Sequence, residues 1–455
     1  MARQLLPIAA LLLSVAFLLT ANGLHSILLP IRGGLEHFST FSLGLVGTGW
    51  AIGFVASCFM APRIVHQVGH IRAFAASAAA AAVIVLLNAM IVTPLSWILL
   101  RIFSGFVLAA CFMIIESWLN ERATNENRGT IFGVYMTITY VAIVVGQMLV
   151  AVGDPARDTS FMVGAIFFCL ALLPLSLSRA AAPQPLAGVT LDLKRLFQNS
   201  PVGFVATLLV GVANGAFGTL GPLFGFQMGL GTAHIATLMS IAIIAGALIQ
   251  MPAGRLSDRF DRRFMIGGAA LLASIIGMGI AVFAPHNPIV LSLAFALYGG
   301  TSYALYSLAV AHANDFASDL SFVQVSSGLL LLYGIGTMVG PLVASGTMES
   351  FGPQGLFVTT AVAHFAMAIF SVYRTTRRAP PPQHERETFS AVPSPRMLTP
   401  QTAVLQPDPE ELPPAPEPEE VSETEAPQED GSDDATGETP SKAGGDKTKE
   451  TEATP

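Results

Sequence analysis

The residues able to do chemistry are few, and most of them stand inside long apolar runs. Arg101 follows Trp97-Ile98-Leu99-Leu100, and Glu116 sits between Ile114-Ile115 and Ser117-Trp118. An ionised side chain at membrane depth is expensive, so Arg101 reads as functional. A guanidinium snorkelling to the outer surface is the competing account. Glu116 lies near the end of its run, with Arg122 and Arg128 close by, and reads as one side of a structural gate pair in preference to a proton carrier. Asn22 and His25 are three residues apart and so share a helix face. His25 can hold a proton near neutral pH; a satisfied packing histidine is the bland alternative. Tyr140, Gln147, Asn214, Gln227, Tyr298, Tyr303, Tyr306 and His364 are further polar candidates. With Phe217 and Phe224 beside them, they suit an apolar or aromatic solute carrying a few polar groups. The sequence offers no nucleophile–base constellation, no metal-ligand spacing and no Gly-rich Lys phosphate loop, which speaks against an enzyme and against an ATP-driven pump. Cys58, Cys111 and Cys169 all fall in apolar segments and read as inert thiols. No cofactor is expected.

The elements that must position these groups follow from hydropathy. The chain has 455 residues, 52% of them hydrophobic, more than a soluble domain can hide. Apolar segments long enough to span a bilayer lie near 5–30, 43–62, 72–93, 95–118, 129–151, 160–178, 202–226, 234–253, 264–284, 288–311, 323–346 and 354–373. They must be helices, because backbone groups in lipid are satisfied within the segment. The sequence also repeats itself. Ala21-Asn22-Gly23 and Pro30 recur as Ala213-Asn214-Gly215 and Pro222 at an offset of 192. Gly105, Asn120 and Gly146 recur as Gly299, Asn314 and Gly340 at an offset of 194. Internal repeats of membrane helices are the usual construction of secondary transporters.

Charge divides the chain in two. Residues 1–378 carry a net charge of +6, and residues 379–455 carry −13. The second region is rich in Pro, Glu, Ser and Thr and is expected to be a disordered acidic tail. With the N-terminus inside, 15 Lys and Arg residues fall in cytoplasmic segments against 2, Arg32 and Arg157, outside. This follows the positive-inside rule and places both termini in the cytoplasm.

The loop after the eighth segment reads Gly254-Arg255-Leu256-Ser257-Asp258-Arg259-Phe260-Asp261-Arg262-Arg263. Asp258 is expected at a helix N-terminus, where the dipole favours an anion. The arginines are expected to pair with acidic residues such as Asp315 and Asp319. This loop resembles the signature loop of the major facilitator superfamily. Asp261 stands where that pattern usually has a second glycine, and in the first-half counterpart, Pro62 to His70, His66 replaces the acidic residue. Arg101 is similar to the superfamily's fourth-helix arginine, which the resemblance links in some members to proton coupling. The run from Arg101 through Glu116 to Asn127-Arg128-Gly129 and Gly146-Gln147 resembles the YcaD-like branch, a branch largely uncharacterised in substrate. Gln250 to Gly254 and Leu332-Tyr333 through Gly340-Pro341 fit it too. Gln147 follows Gly146 where drug/proton antiporters carry Gly-Pro, which is weak evidence against that class. Gly336-x-x-x-Gly340 reads as helix packing.

The resemblance implies an all-α membrane protein with twelve transmembrane helices in two pseudo-symmetric six-helix bundles, plus the tail. The divisions are 1–180 and 201–378 for the bundles, 181–200 for a cytoplasmic linker and 379–455 for the tail. The expected function is secondary active transport of a small organic solute by alternating access, with protons weighed as the coupling ion. Asn22, His25, Arg101, Tyr140, Gln147, Asn214, Gln227, Tyr303 and Tyr306 are the candidate substrate contacts. Gly254, Asp258, Arg259, Arg262, Arg263, Glu116, Arg128 and Asp315 are the candidate gate. The gate loop is expected to hold the outward-facing state by locking the cytoplasmic helix ends. Multidrug efflux and a non-transporting sensor or scaffold acting through the tail are the alternatives. The expected partners are the solute, protons and the lipid bilayer. No nucleic acid is expected, and the resemblance implies a monomer in the inner membrane.

Overall fold

The computed structural model describes residues 8–124, 127–177, 191–316 and 321–377, with Phe389, Thr399, Pro400 and Thr402 beyond them. Half of the linker, Asp319 and the acidic tail apart from those four positions lie outside the described residues. Among the described residues, twelve helices are long and apolar enough to cross a membrane. They are α1 (Ala9–Leu35), α2 (Thr40–Val68), α3 (His70–Met90), α4 (Pro94–Arg122), α5 (Arg128–Val152) and α6 (Thr159–Ser176) in the first half. A short α7 (Leu193–Asn199) precedes α8 (Pro201–Gln227), α9 (Thr232–Arg259), α10 (Arg262–Phe283), α11 (Pro288–Asn314), α12 (Phe322–Phe351) and α13 (Gly355–Thr375) in the second. Outward-facing side chains such as Leu99, Phe103 and Val282 are apolar and exposed, as a bilayer requires.

Helix starts are set locally. Thr93 accepts from the backbone of Ser96 ahead of Pro94, and Asn287 accepts from Ile289 and Val290 ahead of Pro288. A capping side chain followed by Pro at the first helical position is a strong start signal, since it satisfies free N–H groups and presets φ. These two starts are themselves related by the offset of 194. Ser200 with Pro201 opens α8 in the same manner, and Ser321 with Gln324 forms a capping box at α12.

The repeat becomes physical at the helix crossings. A Cβ on Gly105 would overlap the carbonyl oxygen of Trp50, and one on Gly299 that of Ala242. Gly146 meets the carbonyl of Thr20, and Gly340 that of Val212. Gly23 abuts Ile143, and Gly215 abuts Thr337. In each pair the residues touched are related by the same offsets as the glycines. The crossings α2/α4 and α9/α11, and α1/α5 and α8/α12, are therefore the same contact made twice. Gly336 of α12 also approaches the backbone of α8 at Leu208 and Gly211, which is the close packing that its spacing suggests.

One end of the bundle, the proximal face, carries the starts of α1 and α8 and the ends of α6 and α13. At the other, distal face the halves touch directly. Gln227 Nε2 donates to Thr40 Oγ1 at 3.2 Å, and the Phe41 N–H donates to Glu349 at 3.0 Å. Thr48 donates to the carbonyl of Met338 at 2.8 Å, while Gly44 sits beside Ser345 and Gly34 beside Phe226. Arg32 stiffens this face within the first half. It binds Glu36 at 2.6 Å, Asp158 at 3.3 Å and the carbonyl of Ala156 at 2.8 Å.

The crossings set a clear expectation. Gly105→Ala and Gly299→Ala should each cost about 1–3 kcal/mol by overpacking against backbone that has nowhere to go. Gly268→Ala, whose Cβ meets nothing within 4 Å, should be neutral or stabilising. Melting temperatures of the detergent-solubilised variants measure this; the reverse order would reject the crossings as tight contacts.

Candidate functional site

Between the halves lies a cavity of about 1090 Å³, counting the part open to solvent. Its wall draws on α1, α2, α4 and α5 from the first half and on α8, α9 and α11 from the second. Polar groups reach it from Asn22, Ser26, Arg101, Tyr140, Gln147, Thr219 and Tyr303, with Trp50 beside them. Leu43, Val46, Ile143, Met239 and Ile243 supply apolar wall. Among the described residues, Arg101 is the one ionised residue on it. Ser240 donates to Gln147 Oε1 at 3.0 Å and so joins the two halves at the wall.

His25 stands one layer behind. Arg101 Nη1 lies 3.5 Å from its Nδ1, and the Asn88 side-chain amide lies 3.3 Å from its Nε2. Guanidinium only donates, so Nδ1 is an acceptor and a neutral ring carries its proton on Nε2. Asn88 must then present its Oδ1 to His25, an orientation fixed by the hydrogen-bond logic and not by the atom labels. This gives α1, α3 and α4 a common polar node directly behind the cavity wall.

Asn22, Arg101, Tyr140, Gln147 and Tyr303 therefore meet on one surface, and His25 supports it. Three other candidates stand elsewhere. Asn214 is buried in the second half, where its Oδ1 accepts from Ser302 at 2.7 Å; Ser302 in turn lies 3.1 Å from His364 Nε2. That network fastens α8, α11 and α13, so His364 is interior to its half. Gln227 is spent at the distal rim on Thr40. Tyr306 is buried against Tyr333, with ring centroids 5.5 Å apart. Phe217 and Phe224 likewise belong to an aromatic core with Phe295, Tyr298 and Phe357. Each had the right residue type but faces its own bundle or, for Gln227, the rim, and the face a side chain takes depends on how far the helix is rotated, which composition does not report. The wall residues missed from sequence, Trp50, Met239 and Thr219, are ordinary membrane residues with no spacing signal.

At the proximal face the signature loop forms an ion network. Arg262 Nε lies 3.1 Å from Asp315 Oδ2, with both side chains almost fully buried, and Arg262 Nη2 lies 3.0 Å from Asp258. Arg263 binds Asp261 at 2.6 Å and donates to the carbonyl of Arg374 at 3.1 Å. The ends of α9, α11 and α13 are thus tied to the start of α10. Asp258 sits in the last turn of α9, not at a helix N-terminus; Asp261 takes that place, accepting from the Arg263 N–H. The acid where a glycine is usual is therefore a helix cap. Burial opposes ionisation of Asp261, but the hydrogen bonds and charge of Arg263, with His312 nearby, outweigh it and hold the carboxyl below its ordinary range. Arg259 is exposed at the end of α9, and Arg128 is half-buried at the start of α5. Among the described residues, the first half has no equivalent clamp at His66, which is exposed. Glu116 is fully buried, and its donors among the described residues include the Tyr135 hydroxyl, at 3.0 Å, and the Thr399 hydroxyl. Gln250, beside the loop, donates to Ser307 and links α9 to α11.

The profile of the Major Facilitator Superfamily matches this chain over residues 11–323 and 203–409. An uncharacterised MFS-type transporter YcaD from Shigella flexneri serotype 5b is 26% identical over 384 residues, 83% of this chain and 97% of that protein. An uncharacterised MFS-type transporter from Yersinia pestis is 25% identical over 394 residues, 85% of this chain and 98% of its own. Among solved structures, the nucleoside transporter NupG superposes with a TM-score of 0.69 at 16% identity, covering 81% of this chain and 98% of that one. A bacterial homologue of the human lysosomal transporter Spinster, inward-facing and occupied, gives 0.65 at 15% identity over 83% of this chain and 97% of its own. With the repeat-related crossings, the central cavity and the signature loop in place, this chain belongs to the Major Facilitator Superfamily, in its YcaD-like branch.

Proposed function

We propose that the protein is a secondary active transporter that carries a small organic solute across the inner membrane by alternating access. The observation that carries this reading is the cavity, walled by both halves and shut at the distal face by direct contact between them. Rocking one half on the other exchanges the closed face. The basic segments cluster at the proximal face, so the positive-inside rule makes that face cytoplasmic, along with both chain ends. The solute is bound mostly by apolar and aromatic wall with a few polar contacts, and Arg101 favours an anionic group on it. The His25–Arg101 contact is the natural place for proton coupling, because a second proton on His25 turns its Nδ1 from acceptor to donor and breaks the hydrogen bond from Arg101. The protein works as a monomer in this reading.

Thermal-shift screening of the purified protein against metabolites and drugs, at two pH values, tests the proposal. A ligand of the native state at 100 times its Kd stabilises by about 2.7 kcal/mol. The expected hit loses its shift in Arg101→Ala and Tyr140→Ala and is taken up or exchanged by proteoliposomes. A hit indifferent to both variants, or bound but never moved, rejects the transport site.

The signature loop gives a second expectation. Asp258→Asn removes the charge facing Arg262 while keeping an acceptor oxygen. Transport of the identified solute should fall several-fold at near-normal protein levels, and an unchanged rate would reject a gating role for the loop.

A further inference from the structure

The cavity wall divides chemically along the seam between the halves. Its charge and both of its side-chain amides, those of Asn22 and Gln147, stand on the first half. The second half presents Thr219, Met239, Ile243, Ala247 and Tyr303, apolar but for two hydroxyls. Among the described residues, no Asp or Glu lines either side.

The polar side is gathered around one stretch of α1. Gly146 lies against the carbonyl of Thr20 and Gly23 against Ile143, so the α1/α5 crossing brackets Asn22 and brings Gln147 to the same part of the wall. Arg101 reaches that stretch through His25, with Nη1 3.5 Å from Nδ1. Gln147 Oε1 accepts from Ser240 at 3.0 Å, which leaves its Nε2 to donate inward. A guanidinium with amide donors around it is an anion-binding arrangement. Trp50 belongs to this side too, since a Cβ on its neighbour Gly49 would lie 3.7 Å from the Cβ of Arg101. The apolar side is held firmly in place. Tyr303 packs on Gly246, and Met239 packs on Gly221.

That division selects a solute. One positive charge with no acid on the wall is neutralised by one negative charge, repels a cation and leaves a dianion half compensated. A sugar acid satisfies the charge but sets its hydroxyls against Met239 and Ile243, where they lose hydrogen bonds to water. A flat apolar body suits that side, and Trp50, Tyr140 and Tyr303 add aromatic surface around it. We infer that the solute is an aromatic monocarboxylate, with its carboxylate on Arg101 and the amides of the first half and its ring system against Met239, Ile243 and Tyr303 of the second. The inference names the solute of the site proposed above and rests on that reading for movement across the membrane, not for binding. A solute held in this way touches each half with a different end, so its binding reports on how the halves are set against each other.

Four probes on the full-length protein in detergent test the class by titration calorimetry: naphthylacetate, its neutral amide, naphthylethylamine and glucuronate. Naphthylacetate should bind at least about 10-fold more tightly than the amide, because only the acid makes a charge-assisted bond to Arg101. The amine and glucuronate should bind more weakly than the amide. No binding of naphthylacetate, or equal binding of any other probe, would overturn the class, and this comparison needs no variant. Two substitutions test the placement. Arg101→Gln should bring the acid down to the affinity of the amide while the amide itself is unchanged, which also shows the variant folded. Ile243→Asn should weaken acid and amide alike, by about 10-fold, through lost apolar contact. An acid affinity untouched by either substitution would overturn the placement. Exchange of labelled naphthylacetate by proteoliposomes separates this inference from the transport reading. An acid bound with this selectivity but never exchanged leaves the class standing and rejects transport. A neutral or cationic solute exchanged equally well by the wild type and Arg101→Gln rejects the class and leaves transport standing.

Discussion

The contact on which the rest depends is glycine against backbone at the helix crossings. Inside a bilayer, burying apolar side chains gains little, because lipid tails are as apolar as leucine. Helices must then hold together by close van der Waals approach and by the few hydrogen bonds available. Gly105 on Trp50 and Gly146 on Thr20 let α4 and α5 come to backbone distance from α2 and α1, and Gly299 and Gly340 do the same in the second half. Helices packed at that distance move as one body. Each half is rigid for that reason, and whatever moves must move between halves.

Between the halves glycines also come close, Gly44 to Ser345 and Pro341 at the distal face, but much of the seam is held by side-chain hydrogen bonds, such as Gln227 to Thr40 and Ser240 to Gln147, each modest in net energy. A face held by several modest bonds can open, whereas a crossing held by interlocked backbone cannot. The cavity lies at this weaker seam. Its polar equipment is unequal, with Arg101 and its His25–Asn88 support all in the first half. The ion clamp is unequal in the other sense. Arg262 is buried between Asp258 and Asp315 in the second half, while the equivalent turn of the first half ends in the exposed His66. Duplication fixed the scaffold twice, and chemistry was kept on each copy once.

Desolvation explains the proximal face. A buried carboxylate or guanidinium is tolerated only with geometry that satisfies it. Arg262 has two carboxylates. Glu116 has Tyr135 from its own half and Thr399 from far along the chain. The second arrangement makes a buried carboxyl depend on a residue far along the chain.

Much of the fold was legible in order of residues. Twelve apolar runs gave twelve helices, with ends displaced by a few residues where caps such as Thr93 and Asn287 set the start. The repeat was legible because Gly105, Gly146 and their counterparts are irreplaceable at a crossing, so residue type alone records the contact. The pairing of Arg262 with Asp315 was legible because a buried cation must find a nearby acid. The cavity wall was legible only in part. Asn22, Arg101, Tyr140, Gln147 and Tyr303 reached it, while Asn214, Tyr306 and Gln227, equally polar, turned into their own bundle or to the rim. Helix rotation decides between those outcomes, and rotation is set by the neighbours packed alongside. The sequence by itself thus determined the class of molecule, its membrane elements and its twofold scaffold, through lipid solvation and backbone sterics that act on residue type. Tertiary structure alone decided which polar groups share the cavity and that Thr399 sits on Glu116, because those are contacts between positions far apart in the chain, and no local pattern encodes a partner at that separation.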